Sequence, residues 1–337
     1  MSGARRQETG LSTRPRIAFV DHSFHRVTGS SRFFIDILKR DADVVELDCD
    51  GWRGGRKVGA ADVDAVKADV VVFWQTVPYL AEAIKLRTPA SWVPMYDSAV
   101  HRSGWYWSTL SHTGIKVVSF CRALSAVARR HGIPVSDYTY YPEPVEPPRA
   151  RDRVAGLRVF LWDRGDIGID ELRGILGAQR VEQTVLRAAP DPGLRASVLN
   201  ASDTRRYNAR VITGALRREQ HLELLSSSNV FVAPRRFEGI GMSFLEAMAM
   251  GLAVVAPDRP TMNEYIEHGL NGYLYDPARP HEIDLRLAAA VGEQARLSIL
   301  AGRRDWLAQT EGLLADILSA RPMQSVPPPA DPVGLGL

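Results

Sequence analysis

With 337 residues, 45% of them apolar and 24% charged, the chain has the composition of a soluble globular protein long enough for two separate cores. A net charge of +3, from 42 Lys and Arg against 39 Asp and Glu, is too slight for a protein whose main partner is nucleic acid. The two cysteines, Cys49 and Cys121, have neither zinc nor redox spacing, so reduced thiols in a cytoplasmic protein are expected.

Residues 1–14 are polar and read as a flexible arm with no apolar centre for an export signal. No run of about 18 apolar residues follows, so nothing spans a membrane, and peripheral contact with its inner face stays open. Residues 17–20 read as a buried strand. A polar loop over 21–31 then leads into Phe33, Phe34, Ile37 and Leu38 at helical spacing. Apolar or β-branched runs recur at 44–47, 70–74, 92–95, 117–120 and 138–141, with helical segments at 80–86 and 124–130 among them. That alternation predicts an α/β, doubly wound parallel sheet over residues 15–145.

Pro142, Pro144, Pro147 and Pro148 remove amide donors and force extended backbone, which marks an interdomain linker. The pattern then restarts over 146–300, with strands at 157–162, 183–186, 210–213, 230–233, 253–256 and 273–275. Helices are expected at 169–176, 219–225, 243–250 and 262–267. Helical sequence continues over 281–319, with Trp306, Leu313 and Ile317 as an apolar stripe, and the proline-rich tail 321–337 reads as disordered. Two Rossmann-like domains joined this way set two rows of strand ends across a cleft.

The richest stretch is 229–276. A β-branched run stopped by Pro234 is followed by the turn Glu238, Gly239, Ile240, Gly241, and then by helix formers from Ser243. A helix start there would offer unpaired amides and a positive dipole end to an anion such as a diphosphate. Glu238 and Glu246 would flank the anion. The same Ser243 and Glu246 also read as a capping box, and residue spacing alone leaves the two readings evenly weighted.

The order Glu238, Gly239, Gly241, Ser243, Leu245, Glu246, Ala247, Met248, Ala249, Gly251, Val254, Ala256 is continued by Asn263, Glu264, Ile266, Gly269, Asn271, Gly272 and Leu274. It resembles the donor-site signature of retaining GT-B glycosyltransferases of the family 4 type. The resemblance implies two Rossmann-like lobes, a nucleoside-diphosphate sugar as co-substrate, no metal and no other cofactor. It also implies that the last helix, placed at 301–320, crosses back to the first domain.

By the same resemblance, Gly239, Ile240, Gly241, Met242 and Ser243 would receive the diphosphate, Glu246 the ribose, and Glu238 the sugar. Gly29 and Ser30 match the family's first-domain loop, in which a second glycine is usual. Asp97 matches the acid of a strand-end His-Asp pair, Tyr96 does not match its histidine, and His101 stands nearby as a substitute. Arg164 matches a diphosphate-binding arginine, but the lysine that normally follows is missing. Arg173, Arg235 and Arg236 are the nearest cations. Trp105, Tyr106 and Trp107 read as core or as an acceptor platform, and the D-x-D pair Asp48 and Asp50 is discounted as a metal motif.

The expected activity is transfer of a sugar from a nucleoside-diphosphate sugar to a glycan, lipid or small molecule, at a site without a metal ligand. The rivals are a nucleotide-sugar epimerase and a non-catalytic binder of a sugar nucleotide or partner protein. An NAD-dependent enzyme ranks last, because no G-x-G-x-x-G follows either first strand.

Overall fold

The computed structural model describes residues 14–144, 156–214 and 216–321. The arm 1–13, most of the linker and the tail from 322 lie outside them. Two six-stranded parallel sheets carry the fold. In the first, β1 (Arg16–Asp21), β2 (Asp43–Asp48), β3 (Val70–Trp74), β4 (Ala90–Val93), β5 (Lys116–Ser119) and β6 (Val135–Asp137) lie in the order β2-β1-β3-β4-β5-β6. In the second, β7 (Leu157–Asp163), β8 (Val181–Ala188), β9 (Ala209–Thr213), β10 (Val230–Val232), β11 (Ala253–Pro257) and β12 (Tyr273–Tyr275) lie in the order β12-β11-β10-β7-β8-β9. This is the two-lobed α/β architecture expected from the alternation of runs.

Helices cover both faces of each sheet, so the inner strands β3, β10 and β11 are apolar along their whole length. Every residue of β3, β10 and β11 is buried. Strand order reverses between β1 and β3 in one sheet and between β7 and β10 in the other. A crevice therefore opens at the carboxyl ends of each pair.

One helix, Ala288–Leu318, ties the lobes together, where the sequence reading began a separate helix at 301. Its first half lies so close to the second sheet that a Cβ on Gly292 would meet Ala253 N at 3.0 Å. Its second half reaches the first lobe. Trp306, 1% exposed, packs against Phe33, Phe120, Tyr138 and Tyr140. Lys116 Nζ donates to the Asp316 carbonyl at 2.8 Å, and Tyr138 OH donates to Asp316 Oδ2 at 2.9 Å.

Two elements depart from expectation. The last strand of the first sheet is Val135–Asp137, not 138–141, because Tyr138, Tyr140 and Tyr141 spend their rings on the long helix. At 262–267 there is only a single turn, Met262–Glu264. Asn271 Oδ1 takes the amide of Glu267 at 2.8 Å, and Asn271 Nδ2 donates to the Tyr265 carbonyl. No helix among the described residues is long and apolar enough to cross a membrane.

Candidate functional site at the crevice of the second sheet

The helix Met242–Ala249 starts at the carboxyl end of β10, beside the crevice between β7 and β10. Gly241 caps it at φ 78°, and a Cβ there would run into the Phe244 ring, so the turn requires glycine. Among the described residues no group accepts from the amides of Met242, Ser243 or Phe244. Three bare N–H groups and the positive end of the helix make an anion seat. The capping box does not form: Gly241 holds the cap position, and Glu246 pairs instead with Arg218.

Glu238 lies at the inner side of the same turn, 7% exposed, with Oε1 buried and unpartnered. Burial lifts its carboxyl to about 7, against the pull of Arg235 and Arg164. Thr261 Oγ1 fixes the backbone by donating to the Gly239 carbonyl at 2.7 Å and the Glu238 carbonyl at 3.0 Å. Ile240, 5% exposed, anchors the turn in the core.

The first lobe meets this turn directly. A Cβ on Gly239 would touch the Met95 side chain, and Phe237 packs 6.3 Å from the Tyr96 ring and 5.7 Å from the His101 ring. Asp97 lies 3.6 Å from Arg235, and its Oδ1 is buried without a partner. Burial raises the Asp97 carboxyl above its ordinary range, with Arg235 opposing. Sequence neighbours Asp97 and His101 are thus brought to the glycine turn by the end of β4, with His101 exposed.

The cations are mostly spoken for. Arg164, at the end of β7, donates through Nε to Asp191 Oδ1 at 3.0 Å, and Arg235 pairs with the other oxygen of Asp191. Arg236 is held by Asp166 and Glu171, and Arg173 by Asp203 and Asp170. Gly29 ends the short helix Phe24–Thr28 at φ 71°, with open space where a Cβ would go, and Ser30 Oγ lies 2.9 Å from Thr28 Oγ1. Both belong to the loop after β1. Tyr106 and Trp107 are buried, whereas Trp105 is 44% exposed.

Comparison with known proteins rests on this same region. Residues 198–299 match the model of the family described as glycosyl transferases group 1. That segment of the chain is similar to this family. Over 89 residues the chain is 39% identical to an alpha-maltose-1-phosphate synthase of Mycolicibacterium smegmatis, covering 24% of this chain and 23% of that protein. A sucrose synthase of Melioribacter roseus is 43% identical over 53 residues, which is 16% of this chain and 7% of the relative. The chain thus matches about a quarter or less of the length of these curated relatives.

Likeness of fold extends much further than likeness of sequence. The sucrose-phosphate synthase of Thermosynechococcus elongatus superposes with a TM-score of 0.64 at 15% identity, over 91% of this chain and 100% of that one. HepE of Anabaena, solved with UDP and glucose, superposes at 0.58 and 17% identity, over 91% of this chain and all of that chain, 100%. The chain therefore has the GT-B fold.

Asp191 carries no signal in the sequence, and Glu264, named there as part of the signature, has a role that only the fold reveals. Asp191 bridges Arg164 and Arg235 from the loop after β8. Glu264 reaches across the lobes to the start of the helix Arg122–Arg130, accepting from Arg122 N at 2.8 Å and Ala123 N at 3.1 Å. In the other lobe, Asp21, His22 and His25 converge where β1 ends, their ligand atoms within 4.8 Å of one another, with His25 Nδ1 2.6 Å from Asp21 Oδ1. The D-x-D residues are engaged nearby, Asp48 with Arg26 at 2.7 Å and Asp50 with Ser23 N at 3.0 Å.

Proposed function

We propose that the protein is a retaining glycosyltransferase that moves a sugar from a nucleoside-diphosphate sugar to the hydroxyl of a glycan, lipid or small-molecule acceptor, without metal ion or other cofactor, on the cytoplasmic side of the cell. The observation that carries this reading is the bare amide turn of Met242–Ala249 beside the crevice, with the buried Glu238 in the turn before it. The relatives add to it: one is an alpha-maltose-1-phosphate synthase, and HepE was solved with UDP and glucose.

In this reading the bond from the anomeric carbon to the diphosphate oxygen breaks as the acceptor hydroxyl oxygen bonds to that carbon. The hydroxyl proton leaves with the diphosphate. Negative charge builds on the departing group, where the amides of Met242 and Ser243 and the Arg164 guanidinium are already aimed. Donors placed before the reaction cost nothing to reorganise during it. Glu246 would accept from the ribose hydroxyls, exchanging Arg218 for them. Glu238 as carboxylate would hold sugar hydroxyls and favour the positive anomeric centre. The contacts of Met95, Tyr96 and His101 with the turn would keep water from the donor.

A panel of nucleotide sugars, beginning with UDP-glucose, tests the reading by thermal stabilisation in excess chelator. One donor should raise the melting temperature, and its sugar should appear in product with the anomeric configuration kept, read by NMR. Absence of stabilisation by every donor refutes a nucleotide-sugar site, inversion refutes retention, and stabilisation restored only by magnesium refutes metal independence.

A further inference from the structure

In this lobe a half-buried cation stacks on an indole with no acid among the described residues to answer it. Arg187, at the end of β8, is the cross-strand partner of Trp162 and lies 4.3 Å over the Trp162 ring. Its Nη1 donates to His221 Nδ1 at 3.1 Å, and its Nε is buried without a partner. Trp162 Nε1 is likewise buried and unpartnered. Among the described residues no carboxylate pairs with Arg187. Burial lowers its pKa, and the neighbouring Arg164 lowers it further.

A half-buried guanidinium facing another cation is costly, and so are buried N–H groups without acceptors. Beyond the His221 Nδ1 that accepts from Nη1, Arg187 meets an aromatic ring and a second positive charge. What satisfies such a place is a ligand rich in acceptors and negative charge. Arg164, 5.1 Å from the Trp162 ring, and Arg187, 4.3 Å from it, sit at the carboxyl ends of β7 and β8, next to the crevice. His221 adds no competing charge, since burial and Arg187 push its pKa down to about 4.

We infer that Arg187 and Trp162, with His221 holding the guanidinium, form an oxyanion site for a phosphoryl group. Resting on the donor reading above, the site takes one phosphoryl of the leaving diphosphate and supplies the second positive charge that the absent lysine would have given. Arg164 and Arg235 share the single carboxylate of Asp191, and Arg173, Arg218 and Arg236 are each paired. Arg187, next to Arg164 and with no carboxylate partner among the described residues, has its charge to offer.

Calorimetric titration of the intact protein with UDP, GDP, ADP, inorganic pyrophosphate and inorganic phosphate tests this, using wild type, Arg187→Met, Arg187→Lys and Trp162→Phe. Arg187→Met should bind the preferred nucleoside diphosphate roughly tenfold to a hundredfold more weakly, as expected for a lost charge-assisted hydrogen bond, and Arg187→Lys should recover part of it. Without ligand, Arg187→Met should melt no lower than wild type, because an unanswered charge has been removed. Equal affinity of wild type and Arg187→Met for every probe overturns the inference while leaving the donor reading intact. Loss of pyrophosphate or phosphate binding in Arg187→Met, with no nucleotide bound by wild type, supports the oxyanion site and sinks the donor reading. Should Arg187→Met fail to fold, Arg187→Lys and Trp162→Phe decide: the first keeps the charge without the fork, the second keeps an aromatic face but removes the N–H with part of the indole, so a several-fold loss in both supports the site and unchanged affinity in both overturns it.

Discussion

Burial lifts the Glu238 carboxyl from an ordinary 4.5 to about 7, and Arg235 and Arg164 keep it from rising further. A raised folded pKa means that the folded protein holds this proton more tightly than the unfolded chain. The associated stability is present below pH 4.5 and is lost as pH climbs through about 7. Glu238→Gln stays neutral throughout, so it should melt higher than wild type at pH 8.5, with the gap closing toward pH 5. A gap independent of pH, measured by calorimetry, would contradict the assignment. In the proposed reaction the carboxylate is the working form, so kcat/KM for the donor should rise with pH through the same region. The glutamine variant should have low turnover and no such limb.

At the scale of elements, the turn before Met242–Ala249 is set by backbone geometry. Gly241→Ala places a Cβ at φ 78° against Phe244, and should cost about 2 kcal/mol or more of stability, measured by denaturant unfolding. An unchanged unfolding midpoint would mean that the turn is not held in this form. Glu264 caps a helix in the other lobe, Arg122–Arg130, whose own cap residue, Cys121, makes no side-chain cap bond. Glu264→Ala should lower stability by about 1 kcal/mol and speed amide exchange at Arg122 and Ala123; unaltered exchange would refute the cap.

These elements also mark what the sequence made legible. Strands buried on both faces, such as Val70–Trp74 and Val230–Val232, announce themselves as unbroken apolar runs. The glycine turn and its following helix were equally plain. Tyr138, Tyr140 and Tyr141 were misread as strand because their partner is a helix more than 160 residues away, as the Arg303 bond to Tyr141 O, with a separation of 162, illustrates. Ser243 and Glu246 fitted two schemes until Gly241 proved to be the cap. Arg187 carries no local signal at all, since its meaning lies in the absence of an acid that folding alone reveals.

For the whole molecule, the long helix Ala288–Leu318 makes the two lobes share one fate. Asp316 joins Lys116 and Tyr138 of the first lobe from a helix that begins against the second. Asp316→Ala leaves the partly buried Lys116 ammonium without its carboxylate, and should lower the melting temperature by several degrees while nucleotide affinity stays the same. A loss of nucleotide affinity instead, with the melting temperature unmoved, would place Asp316 in the site.

The central claim is that a diphosphate seats on the opening amides of Met242–Ala249, between the two acids. A crystal structure of the protein with the nucleoside diphosphate that stabilises it most tests this directly. The account predicts phosphate oxygens about 3 Å from the amides of Met242 and Ser243, with the ribose at Glu246. A diphosphate bound elsewhere, with those amides still bare, would contradict it.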